Sequence, residues 1–159
     1  MDALARRLGE RLKAAGAKLT TAESCTGGWA AQVVTSVAGS SAWFERGFVT
    51  YSNEAKREQL GVRDETLRKH GAVSEETARE MAQGALGRSR GSVALAVTGV
   101  AGPGGGTAAK PVGMVCFAWA RKGGAPRSET RRFRGGREAV RRQSVIRALE
   151  GVLQAIEGA

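Results

Sequence analysis

Thr20-Thr21-Ala22-Glu23-Ser24-Cys25-Thr26-Gly27-Gly28 sets a carboxylate, two hydroxyls and a thiol in four consecutive residues, then ends on two glycines. An apolar stretch precedes it, reading as a strand over 17–22, and a helical pattern follows over 27–37. The stretch is therefore a strand-to-turn-to-helix corner. Such a corner exposes side chains at the edge of a sheet, and its glycines let backbone N–H groups approach a ligand at the positive end of a helix. A nucleophile with an oxyanion hole fits it, and so does a phosphate cradle. The plainer reading is a helix capped by Ser24 or Thr26.

The flanking sequence repeats the alternation of helix and strand. A helix over 2–15 carries Leu4, Leu8 and Leu12 at four-residue spacing. Trp43 to Tyr51 is rich in aromatic and β-branched residues and reads as a strand. Ser52 or Asn53 caps a short helix that ends at Leu60-Gly61, and His70 in Lys-His-Gly closes another. Ser74 and Thr77, with Glu75 and Glu76 in the first turn, open a helix that runs to about Gly87. Ser92 to Thr98 is continuously apolar, as in a buried strand. Strands over 112–120 and 127–134 flank Gly123-Gly124 and read as a hairpin. A helix over 137–156 follows, with Val140, Ile146, Leu149, Val152, Leu153 and Ile156 as its apolar face. The pattern predicts a three-layer α/β/α fold with a mixed, mostly parallel sheet and a C-terminal hairpin plus helix.

The 159 residues are read as one domain, 1–159, with no internal linker. Only 5% of residues are aromatic against 42% apolar, so Ala, Val and Leu must build the core. The 23 glycines, about twice the usual share, cluster at 99–106, 123–124 and 135–136 as tight turns require. The net charge of +10 raises the question of nucleic acid. Basic residues are nevertheless spread over helix faces and turns, with no interleaved aromatics for base stacking, so nucleic acid is not the expected partner. A phosphate-bearing small molecule is compatible with the charge.

Two well-separated cysteines, Cys25 and Cys116, and one histidine leave no disulfide framework and no metal-ligand cluster. No metal or cofactor is expected, and a reducing cytoplasm is the default compartment. The basic, amphipathic first 18 residues lack the apolar run of a signal peptide, and no segment is apolar enough to span a membrane.

Three places carry chemistry. The corner is the first. Tyr51 and Lys56 are the second, at a strand end and in the first turn of a helix. Lys56 has a solvated reading, but a desolvated lysine loses its proton more easily and becomes a general base, and Ser-Lys pairs substitute for Ser-His. Thr98-Gly99-Val100-Ala101-Gly102-Pro103-Gly104-Gly105-Gly106, directly after the buried strand, is the third. It is neither a dinucleotide fingerprint nor a P-loop, but its backbone suits a pocket at the carboxyl end of a strand.

Blocks of sequence across nearly the whole chain resemble the CinA C-terminal domain family, which includes nicotinamide-nucleotide amidases. They are Ala22 to Gly28, Gly47 to Asn53 with Lys56, Ala72-Val73-Ser74, Thr98 to Pro103 with Gly105-Gly106, Lys110 to Gly113, and Phe133 to Arg137 with Val140-Arg141. The resemblance implies an α/β/α homodimer that deamidates nicotinamide mononucleotide to nicotinate mononucleotide and ammonia, without metal. In two-domain relatives this unit follows a nucleotide-pyrophosphatase domain, whose activity is not expected here. The resemblance implies Ser24 as nucleophile, in preference to Cys25, with Lys56 and Tyr51 moving protons. Substrate contacts are expected from Glu23, Thr26, Gly27, Gly28, Thr98, Gly99 and Gly102, with Glu23 bonding Lys56 or a substrate hydroxyl, or else orienting the corner. Arg137 and Arg141 are expected at the phosphate, or else on a solvated helix face. Backbone N–H groups of Thr26 to Gly28 are expected to hold the oxyanion.

Overall fold

The protein is described here from a computed structural model covering residues 1–158. Five strands form one sheet: β1 (Leu19–Glu23), β2 (Phe44–Val49), β3 (Val93–Gly99), β4 (Met114–Arg121) and β5 (Arg127–Arg132). Their order is β2-β1-β3-β4-β5. β1 runs parallel to β2 and β3, whereas β4 is antiparallel to β3 and β5. Four strands thus point one way and β4 opposes them, so the sheet is mixed as expected. Its pairings, however, divide evenly between parallel and antiparallel.

Six α-helices cover the sheet: α1 (Asp2–Ala14), α2 (Trp29–Thr35), α3 (Asn53–Leu60), α4 (Asp64–His70), α5 (Glu75–Gly87) and α6 (Arg137–Glu157). Side-chain size decides which helices lie on which face. Val93, Leu95 and Val97 of β3, with Val115, Phe117 and Trp119 of β4, pack with Leu8, Leu12, Val34 and Leu149 from α1, α2 and α6. The alternate residues Ala94, Ala96, Cys116, Ala118 and Ala120 meet Leu60, Leu67, Met81 and Ala82 from α3, α4 and α5. The period-2 alternation of strands therefore separates a large-residue face from an alanine face. The alanine face lets α5 lie close to the sheet.

Several boundaries differ from the sequence reading. α2 spans Trp29–Thr35 rather than 27–37, because Gly27 and Gly28 adopt positive φ of 61° and 103° that a helix cannot use. In α6, Val145 is buried while Ile146 is only half-buried. Arg147 has moved inside as well, with Nη2 donating to Glu129 at 2.6 Å from β5. Arg147 and Arg127 lie over the Trp119 ring at 5.0 and 4.8 Å. Arg147 is thus packed and paired, while most of the basic residues between 127 and 147 stay exposed.

α3 and α5 meet at Gly84, where an added Cβ would lie 1.8 Å from the Leu60 carbonyl oxygen. That contact seats α3, the helix bearing Lys56. In an open helix, Gly→Ala gains about 1 kcal/mol from propensity. Here the backbone obstructs the methyl, so Gly84→Ala is expected to destabilise the protein by about 3 kcal/mol. Urea unfolding checks this: the midpoint should fall with the slope unchanged.

Candidate active site

The site lies at the carboxyl ends of β1 and β3, adjacent strands from which the chain departs in different ways. After β1 it turns into α2 and crosses to β2. After β3 it enters the glycine loop and doubles back as β4. A crevice at such a divergence is where α/β sheets generally bind ligands. Here it forms a cavity of about 310 Å³, lined by Ser24, Lys56, Thr98, Gly102 and Arg137 among others. Its size is at the lower end for small-molecule sites.

Ser24 follows the last residue of β1, and its N–H donates to the Val97 carbonyl at 3.0 Å, so the ladder continues to the corner. Lys56 reaches it from the first turn of α3. Ser52 caps that helix, accepting from the Ala55 N–H at 3.0 Å, and Lys56 points inward with 1% exposure. Its Nζ lies 3.0 Å from Ser24 Oγ, 2.8 Å from the Thr50 carbonyl and 3.5 Å from the Tyr51 carbonyl. No carboxylate pairs with it among the described residues. Burial lowers its pKa from the usual lysine value. A neutral amine has two hydrogens and one lone pair. Protonated, Lys56 donates to Ser24 Oγ and both carbonyls; in its neutral form the two carbonyls would take the hydrogens and leave the lone pair for the Ser24 hydroxyl.

Glu23 meets neither Lys56 nor the cavity and takes the remaining expected place, orienting the corner. It is fully buried and accepts from Thr26 Oγ1 at 2.6 Å, the Ala30 N–H at 2.8 Å and the Ala31 N–H at 3.1 Å. It caps α2 from seven residues upstream, while neither Ser24 nor Thr26 caps it. The amides of the first helical turn are consequently spent on a protein carboxylate, which removes the phosphate-cradle reading of the corner. Both Glu23 oxygens hold protein donors, and Glu23, Thr26, Gly27 and Gly28 stand behind the cavity lining rather than in it. The Gly27 N–H is bonded to the Ser24 carbonyl. Among the described residues, the amides of Cys25, Thr26 and Gly28 have no backbone acceptor.

Cys25 lines the cavity beside Ser24, but burial pushes its thiol up to about 12. Its own backbone hydrogen bond lowers the pKa only partly, and the charge of Glu23 raises it further. The thiolate is therefore scarce at neutral pH.

The far wall comes from β3 and the glycine loop. Thr98 is buried and donates to the Ala72 carbonyl at 2.8 Å, tying the loop before α5 to the cavity, with Gly99 and Gly102 beside it. Arg137, the first residue of α6, donates from Nη1 to the Gly102 carbonyl at 2.8 Å and from Nη2 to the Tyr51 hydroxyl at 3.3 Å. It has no carboxylate partner among the described residues, so its charge is available at the cavity wall. Tyr51 is 63% exposed: its hydroxyl faces Arg137, and only its carbonyl faces Lys56. Arg141 lies outside the lining, with Nε and Nη2 each 3.1 Å from the Cys25 and Thr26 carbonyls and the guanidinium over Trp29.

The structure thus gathers Ser24, Lys56, Thr98, Gly99, Gly102 and Arg137 around one cavity, with Tyr51 at its rim. The sequence reading missed the backbone carbonyls of Thr50 and Ala72, for which no side-chain pattern gives a signal. A larger cleft of about 650 Å³, lined by Arg63, His70, Glu80 and Arg88, holds none of the anticipated residues.

Residues 1–156 match the family model described as the CinA C-terminal domain. The chain is 56% identical over 151 residues to the nicotinamide-nucleotide amidohydrolase PncC of Escherichia coli K12, covering 95% of this chain and 92% of that protein. Among solved structures it resembles the competence/damage inducible protein CihA of Agrobacterium tumefaciens, with a TM-score of 0.94 and 50% identity over 98% of this chain and 94% of that one. A CinA superfamily protein from Klebsiella pneumoniae 700603 superposes with a TM-score of 0.95 at 41% identity, covering 99% and 98% of the two chains. A match spanning nearly the whole chain, on a fold with the same architecture, places it in a family: this protein belongs to the CinA C-terminal domain family.

Proposed function

We propose that this protein is a nicotinamide-nucleotide amidase, hydrolysing the carboxamide of nicotinamide mononucleotide to nicotinate mononucleotide and ammonia. One observation carries the reading: a fully buried lysine, unpaired with any carboxylate among the described residues, sits 3.0 Å from a serine hydroxyl at the wall of a cavity. The reaction named for its 56%-identical relative supplies the substrate class.

The chemistry follows from that pair. Ser24 Oγ attacks the carboxamide carbon as Lys56 takes its proton. The tetrahedral intermediate collapses, the C–N bond breaks and Lys56 returns the proton to departing ammonia. Water then attacks the acyl-serine through the same amine and releases the carboxylate. Unpartnered amides bordering the cavity, those of Cys25, Ala101 and Gly102 among them, are the available oxyanion donors. The Arg137 guanidinium is placed for the phosphate, where a forked cation is effective. The Tyr51 phenol, bonded to Arg137, belongs to substrate binding in this scheme rather than to proton transfer. The unit acts as one domain over 1–159, and a homodimer is the proposed assembly.

Ammonia release from nicotinamide mononucleotide by wild type and Ser24→Ala tests the reading. Wild-type release, reduced by about 10⁴-fold or more in the variant, is expected. A well-folded wild type that releases none would refute it. Lys56→Met is expected to lower kcat by about 10²–10⁴-fold without unfolding the protein.

The pH dependence has a fixed sign. The Lys56 pKa is lowered by burial, and the neutral amine is the base. kcat/KM should therefore rise with pH through a value below 10.5, measured as initial rates across the alkaline range. Stability moves the same way: between the lowered pKa and 10.5 the unfolded chain binds the extra proton, so wild type gains stability as pH rises. Lys56→Met lacks this dependence. Its melting temperature relative to wild type should be highest near neutrality and should decline toward pH 10.5.

A further inference from the structure

Glu23 is a buried carboxylate that the proposed reaction does not use. Its backbone is fixed on both sides, since β1 lies between β2 and β3 and the Glu23 carbonyl accepts from the Thr50 N–H at 2.8 Å. No lysine or arginine pairs with its side chain among the described residues. Three donors alone compensate its burial, and such a charge is costly to retain. Capping by itself has a simpler solution, a serine, threonine or aspartate at the position before α2. Gly28 stands there instead, in a left-handed conformation that suits the tight turn. The corner forgoes a local cap in favour of a particular backbone shape, and the carboxylate fixes that shape from the sheet.

Arg141 grips the same segment from α6, through the carbonyls of Cys25 and Thr26. In a planar trans peptide the carbonyl and the next N–H point in opposite directions. Drawing the Cys25 carbonyl to Arg141 therefore turns the Thr26 N–H away from it. The Ser24 carbonyl, held by the Gly27 N–H, turns the Cys25 N–H in the same manner. The corner is thus pinned by an anion that takes the Thr26 hydroxyl and the first N–H groups of α2 and by a cation that takes its carbonyls. The backbone N–H groups left without a backbone acceptor among the described residues are those of Cys25, Thr26 and Gly28, and of these only Cys25 borders the cavity.

We propose that Glu23 and Arg141 are positioning residues for acyl transfer: clamping the 24–28 corner from opposite sides, they hold Ser24 Oγ and the cavity-lining Cys25 amide in register with the developing oxyanion. The proposal rests on the reading of Ser24 and Lys56 as the reacting pair, and its subject is the geometry of that pair's backbone. Neither Glu23 nor Arg141 touches the substrate in this scheme. Their loss acts on the transition state, where a misplacement of about 1 Å costs about 10²-fold.

The test compares wild type, Glu23→Gln and Arg141→Met in two assays on the intact protein. One is steady-state hydrolysis of nicotinamide mononucleotide. The other is the rate at which a fluorophosphonate labels Ser24: Oγ bonds to phosphorus, fluoride leaves, the hydroxyl proton passes to Lys56, and the phosphoryl oxygen occupies the oxyanion position. In Glu23→Gln an amide –NH₂ replaces one acceptor and faces the N–H groups of α2. Both variants should lose about 10²-fold in kcat and in labelling, with KM within about twofold of wild type and the alkaline rise in rate at an unchanged pH. Wild-type kcat and labelling in folded variants would overturn the proposal, as would a loss expressed in KM or a displaced pH profile. Should Glu23→Gln fail to fold, Thr26→Val removes one of the three bonds, and a labelling loss of about tenfold is expected; a wild-type rate there would overturn the clamp. If wild type is labelled at Ser24 yet leaves nicotinamide mononucleotide intact, the substrate reading fails, while the labelling ratios still decide the clamp.

Discussion

Burying an amine without a counter-ion costs free energy, and much of this structure is arranged around that burial. Lys56 is enclosed by the ends of β1 and β2 and by its own helix, with a hydroxyl and two carbonyls as partners. A carboxylate there would hold the proton and abolish the base. Carbonyls solvate the amine without fixing its charge, so burial depresses its proton affinity. The surrounding fold makes that environment dry: α3 is seated against α5 through Gly84, and α5 is seated on the alanine face of the sheet. The core therefore contributes to reactivity as well as to stability.

Two charged groups that flank this corner, Glu23 and Arg137, are bonded elsewhere. Glu23, the residue before the serine, is turned back to α2 and bonded three times. Its orientation follows from strand alternation: Ala22 belongs to the alanine face shared with α3 and α5, so its neighbour Glu23 points to the opposite face, toward α2. Arg137 is separated by its bonds to the Gly102 carbonyl and the Tyr51 hydroxyl. The cavity consequently has the Ser24–Lys56 pair at one end and the Arg137 cation at the other, a division that in the proposed reaction suits an amide carried on an anionic nucleotide.

Arg137 and Arg141 show how one helix face can serve two purposes. They are one turn apart on α6 and look alike in sequence. Arg137 reaches forward to the glycine loop, and Arg141 reaches down to the carbonyls of the corner. The difference comes from where the glycine loop and the corner approach the helix, which is a property of the sheet order.

Periodicity, composition and local turn chemistry were enough to determine the alternation of elements, the mixed sheet, the closing hairpin and helix, and caps at Ser74 and at Ser52 or Asn53, of which the structure selects Ser52. These are short-range properties: apolar spacing, glycine conformations and side-chain caps act over a few residues. The resemblance marked Ser24 and Lys56 from their motifs, but spacing alone left Lys56 as plausible in solvent as in the core. Only the tertiary structure decided that its Nζ meets Ser24 across 32 residues of chain, that Glu23 serves α2, that the Tyr51 phenol faces Arg137, and that Arg141 holds a backbone. Each depends on which strands become neighbours and on which face a helix presents. The carbonyls of Thr50 and Ala72 could not be read in advance at all, because every residue carries one and only the packing selects which of them meets a side chain.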